Sequence, residues 1–170
     1  MSAAGWDFAS ADNSNVLVNS VSYVPILTKG IVGIAAHDTL LIDIWGTFLN
    51  SSGGPRQYSS RVSVGGVSVI DTVMFNVGAS TVSRAATVLR FIVSVSSVNA
   101  WRAEGVGWIT GTIPGGGFST IGSSFGSWKS GAEALLGTKP VLVQMKSNSP
   151  AATQIFTMHS FGIRRIPQVP

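Results

Sequence analysis

The sequence predicts an all-β fold, an eight-stranded antiparallel sandwich of jelly-roll type, and three observations carry that expectation. Apolar residues recur at every second position through much of the chain, the spacing of a strand with one buried face. Turn clusters rich in Gly, Ser, Asn and Pro separate these runs. Twenty glycines, spread along 170 residues with many β-branched neighbours, oppose long helices. A chain of this length forms one domain with a substantial core, and eight antiparallel strands commonly close as two packed sheets.

The elements follow in order. Residues 1–19 are small and polar, with Trp6 and Phe8 as the large apolar groups, and read as an N-terminal arm. Its rings either anchor it to a neighbour or leave it a frayed tail. The sandwich domain is expected over 20–166, with 167–170 a short tail. A first strand is read over 20–28 and a second over 39–49. In the second, Leu40, Ile42, Ile44 and Phe48 lie on one side, Asp43 and Thr47 point the other way, and Trp45 interrupts the polar face.

Asn50 to Pro55 is a loop cluster, and Gly65-Gly66 between strands at 58–64 and 67–74 is a hairpin signal, because glycine accepts the positive φ of a primed turn. Over 86–96, Leu89, Phe91, Val93 and Val95 alternate with Arg90, Ser94 and Ser96; a strand over 100–113 follows. The stretch 114–126 is a Gly/Ser loop or a loose edge strand, and 131–136 allows one helical turn. Strands at 140–146 and 153–166 close the domain.

Composition narrows the function. Charged residues make up 11% of the chain and hydrophobic ones 45%, with mean hydropathy +0.37. So few charges leave apolar or Ser/Thr surface outside, which predicts an oligomer or a component of a larger assembly; the competing reading is a monomer with a neutral hydroxyl-rich skin. The net charge of +4 rests on scattered groups, Arg164-Arg165 being the one basic pair. No basic stripe with interleaved aromatics is present, so nucleic acid is not an expected partner.

No cysteine is present, which removes disulfides, thiolate metal sites and cysteine nucleophiles together. The first fifteen residues lack the basic start and apolar run of a secretory signal, and the uncharged stretch 105–128 holds too much Gly and Pro for a membrane helix. A soluble protein made in a cytosol, with no membrane partner, is the expectation.

Catalytic chemistry is hard to assemble from these residues. Two histidines limit any Ser/His/Asp triad. His159 is read on the same strand face as Ile155, Phe161 and Ile163, as a buried or interface histidine, and His37 beside Asp38 as part of a turn. No ligand spacing suggests zinc. A glycosidase pair such as Asp43 with Glu104 or Asp71 needs strands that bring two carboxylates together, and lone solvent-facing carboxylates are the commoner arrangement. Gly115–Gly117 lacks the GK[ST] ending of a phosphate loop. Arg102 and Glu104, two apart on a strand, share a face and can pair while Trp101 faces packing. No enzyme, cofactor or metal is expected.

Three segments, WGTFLNSSGG at 45–54, YSSRVSVGGVSV at 58–69 and the aromatic-Arg-x-Glu element at 101–104, resemble the jelly-roll structural proteins of tailed bacteriophages. The likeness covers about residues 20–166, with 139–166 in the position of the closing strand pair. It implies a trimer found as capsid decoration or cement protein, or as a module of a tail fibre, and brings no active-site residues.

The expected role is therefore a non-enzymatic capsid cement protein. It is a homotrimer on the virion surface, made in the host cytoplasm, that binds the major capsid protein and reinforces contacts between its subunits. Trp6 and Phe8 on the arm, and Arg164 and Arg165 meeting acidic capsid residues, are the expected contacts. The alternative is a receptor-binding tip, with 50–56 and 114–126 as loops presenting Phe118 and Phe125 to a host glycan. A carbohydrate-active hydrolase on the same scaffold is a third reading.

Overall fold

The computed structural model describes residues 8–11, 15–17, 20–51, 53–54, 56–77, 85–97, 100–113, 117–127, 135–148 and 154–167. For 8–11, 15–17, 31–32, 71–77, 108–113 and 117–127 the description is of the backbone alone. Within these residues the protein is all-β, two antiparallel sheets packed as a sandwich.

Eleven strands are described: β1 (Phe8–Ala11), β2 (Asn15–Leu17), β3 (Val24–Ile34), β4 (Thr39–Asn50), β5 (Arg56–Val64), β6 (Val67–Val77), β7 (Ala85–Ser97), β8 (Ala100–Ile113), β9 (Gly117–Ser127), β10 (Gly137–Ser147) and β11 (Gln154–Ile166). One sheet runs β1-β11-β4-β7-β8-β9, with β2 also on β11, and the other runs β3-β10-β5-β6. Pairing β3 with β10 and β4 with β11 joins the start of the sandwich to its end, a wrapping compatible with a jelly roll.

All eight expected strands are present, and three more join them. The arm is not strand-free: β1 lies opposite Ser160–Ile163 and β2 opposite Ile155–Thr157, so both add to the free side of β11. The stretch read as loop or edge strand contains β9, paired with β8 along its whole length. The first core strand also starts later and runs further than its sequence suggested, to Ile34, because β10 supplies partners as far as Gly137. Pro25 is tolerated in it because β3 is an edge strand.

Alternation builds the core. On β4 the buried side holds Leu40, Ile42, Ile44 and Phe48; on β7, Leu89, Phe91, Val93 and Val95; on β10, Val141, Val143 and Met145. Each such side chain contributes roughly 1.5–3 kcal/mol on full burial. At the centre, the Phe48 ring lies 4.7 Å from Tyr58 and 4.9 Å from Phe156 between centroids. The Tyr58 hydroxyl donates to Gln154 Oε1 at 2.8 Å across the two sheets, and burial raises that phenol's pKa above its ordinary value.

Three glycines have backbone or steric reasons. Gly65 and Gly66 have φ of +61° and +87° in the β5–β6 hairpin, the primed turn its sequence predicts. Gly46 leaves the space that Phe156 fills: a Cβ there would come within 2.5 Å of the ring and of the Thr157 carbonyl.

Candidate interaction surfaces

The outer face of the seven-stranded sheet is read from strand register. Arg164, Leu41, Ile92 and Glu104 form one row across β11, β4, β7 and β8; Gly162, Asp43, Arg90 and Val106 form the next; Ser160, Trp45 and Val88 the third. Leu49 and Ile155 lie opposite each other farther along. Leu41, Trp45, Leu49, Val88, Ile92, Val106 and Ile155 are all half-buried in the single chain, although none belongs to the core between the sheets. This face is apolar, as the odd outward Trp45 hinted.

Its carboxylates are neutralised locally. Arg90 donates from Nε to Asp43 Oδ1 at 2.7 Å and from Nη2 to Oδ2 at 2.9 Å, a bidentate pair whose carboxylate is 1% exposed and whose guanidinium side chain is 42% exposed. These hydrogen bonds raise the pKa of Arg90 above its ordinary value, against a smaller opposing effect of burial. Arg102 and Glu104 approach to 3.7 Å while Trp101 is buried on the opposite face, as their spacing predicted. Asp43 and Glu104 thus each hold an arginine, two strands apart, and Asp71 lies in the other sheet, so the proposed carboxylate pairs are not brought together.

His159 occupies a different place from its sequence reading. The ladder between β11 and β4 steps from Met158 opposite Gly46 to Ser160 opposite Trp45, so His159 is the extra residue of a β-bulge. It is exposed, and its Nε2 lies 3.2 Å from Thr47 Oγ1. Phe156 and Met158 before the bulge, and Phe161 and Ile163 after it, face the core; Ile155 does not. His37 is in the expected turn, at φ +71°, and its N–H donates to the Val95 carbonyl at 2.6 Å.

The sequence-derived contact residues do not converge. Trp6 lies outside the described residues. Phe8 is on β1 opposite Ile163, while Phe118 and Phe125 are on β9 opposite Thr112 and Gly105, at the far edge of the same sheet. Arg164 is opposite Leu41 on the apolar face. Arg165 is engaged internally: it donates from Nη1 to the Gly33 carbonyl of β3, and its Nε is 3.9 Å from Asp38 Oδ2. Among the described residues no three His, Cys, Asp or Glu side chains group as a metal site.

No family model matches the sequence, and no curated protein matches it. Among solved structures, a chain of infectious bursal virus derived T=1 particles is similar at 14% identity and a TM-score of 0.36, over 97% of this chain. This chain spans only 42% of the length of that one. A legume lectin-like domain from Entamoeba histolytica is similar at 8% identity and a TM-score of 0.30, over 95% of this chain and 90% of the other. Overlaps this loose say nothing of function.

Proposed function

We propose that this chain is a non-enzymatic structural protein of a virion, a homotrimeric decoration or cement protein that reinforces contacts between major capsid subunits. The observation that carries the building-block part of this reading is the apolar outer face of the seven-stranded sheet. Four strands at ~4.8 Å spacing and about ten residues at ~3.3 Å rise cover on the order of 600 Å², close to the ~800 Å² that each partner contributes to a standard interface. A face of that size whose carboxylates, Asp43 and Glu104, each already lie against an arginine associates with a second copy at reduced electrostatic cost.

The placement on a capsid is supported by the resemblance of 45–54, 58–69 and 101–104 to phage jelly-roll structural proteins. The mechanism is interface burial: each trimer adds apolar contact that the bare shell lacks. Sedimentation equilibrium should give the mass of three chains, falling to one in Leu41→Glu with Ile92→Glu. Virus particles stripped of the protein should release their genome at a lower temperature than intact ones. A monomeric wild type, or an unchanged release temperature, overturns the corresponding half of the reading.

A further inference from the structure

Arg90 stands in the middle of the apolar face with part of its guanidinium unused. Asp43 is its partner among the described residues and engages Nε and Nη2. The carboxylate is 1% exposed but the arginine side chain is 42% exposed, so its remaining donors and its flat surface open outward. A second copy laid over this face shuts that group away from solvent. Unless the arriving surface supplies a partner, its burial opposes association.

The same face on another copy has few groups to offer a cation. Its carboxylates, Asp43 and Glu104, each already lie against an arginine, Thr47 is engaged with His159, and the aliphatic residues around them accept no hydrogen bond. Trp45 is different. It lies on β4 two residues from Asp43 and so on the same side, opposite Val88 of β7, and is half-buried in the single chain. Indole is the best cation–π partner among the side chains, and a guanidinium stacks flat on it.

The β3 edge of the other sheet does not compete for the second copy. It carries Pro25, which has no N–H to give, and Lys29, which lies opposite core Val141 and places its Nζ 5.3 Å from the centroid of the Phe161 ring. A proline and an inward-pointing lysine close an edge strand to further pairing. We propose that the Arg90 guanidinium of one copy stacks on the Trp45 ring of the next, β7 against β4, and that this contact sets the register in which the copies meet. It rests on the self-association read above and names the side chains that direct it. A ring of three needs two different patches that fit each other, and Arg90 and Trp45 are such a pair.

The test mixes two variants of the whole chain. Trp45→Leu removes the ring but keeps the face apolar, and Arg90→Gln removes the cation but leaves an amide beside Asp43. Each alone, folded by circular dichroism, should raise the concentration for half-assembly about tenfold in sedimentation experiments, while Trp45→Phe should raise it less. In a mixed ring, an intact Arg90 of the Trp45→Leu chain meets an intact Trp45 of the Arg90→Gln chain. The equimolar mixture should therefore assemble at a concentration at least about twofold lower than either variant alone. Coupling inside one chain cannot produce that rescue. A mixture that assembles no better than its components overturns the contact while a self-associating wild type leaves the assembly reading intact. A wild type that stays monomeric overturns both.

Discussion

Asp43 and Arg90 face each other in register on β4 and β7, joined by two hydrogen bonds, with the carboxylate almost wholly covered and the guanidinium still partly open. The pair stands in the middle of an apolar sheet face, so its energetics follow those of a half-buried ion pair. Removing Arg90 alone strands a covered charge. Arg90→Leu should cost about 2 kcal/mol, below the ~3–5 kcal/mol of a fully buried pair because water reaches the guanidinium. Adding Asp43→Leu should recover most of that loss. Urea denaturation of the single and double variants measures both.

Gly46 and Phe156 make a second, steric prediction. Gly46→Ala forces a methyl into the ring and the Thr157 carbonyl and should cost about 1–3 kcal/mol. Gly30 meets nothing within 4 Å of an added Cβ, so Gly30→Ala is the matched control and should change stability by less than about 1 kcal/mol. Thermal melts of the two variants side by side check it.

Tyr58 predicts how stability varies with pH. Its phenol pKa is raised in the folded protein from an ordinary value of 10.0, so the stabilisation is fully present below pH 10 and is lost as pH rises beyond it, where the unfolded chain ionises first. Tyr58→Phe should lower stability near neutrality by roughly 1 kcal/mol through loss of the bond to Gln154. It should also flatten the alkaline decline. Parallel slopes above pH 10 for wild type and variant would contradict this origin.

Asp38 organises the crossing from β3 to β4. Its carboxylate accepts the Ala35 N–H at 2.7 Å and faces Arg165, and its carbonyl accepts the Val95 N–H at 2.9 Å. Asp38→Ala should cost ~1–3 kcal/mol, because the Ala35 N–H and the Arg165 guanidinium both lose a charged partner. Faster amide hydrogen exchange at Ala35, with lesser change in β5, is the local signature.

Much of this was legible in the sequence, and the failures share causes. The period-two reading of 39–49 and 86–96 placed Leu40, Ile44, Leu89 and Phe91 in the core because those strands are regular and packed on one face. The same rule misplaced His159, since one inserted residue reverses the parity of everything after it and a bulge leaves no mark in composition. Strands β1 and β2, four and three residues long, are too short to show alternation, and β9 is obscured by the small residues of GFSTIGSSFGS; tertiary pairing to β11 and β8 makes them strands. Trp45 signalled an unusual outer face, but only the register showed that Leu41, Val88 and Ile92 share it. Arg164 and Arg165 look equivalent in sequence. They diverge in space because neighbours on a strand face opposite ways.

The pairing of β1 with β11 also sets how the molecule bears load. Phe8 lies opposite Ile163, so the chain leaves both strands at the same end of one antiparallel ladder. Tension between the two ends then opens the ladder one hydrogen bond at a time, like a zip, where a sheared pair would resist with all of them together. Strand β1 would peel away at low force while the eight strands from β3 to β8, β10 and β11 stay packed, giving the protein a short extensible lead that re-forms when the pull relaxes.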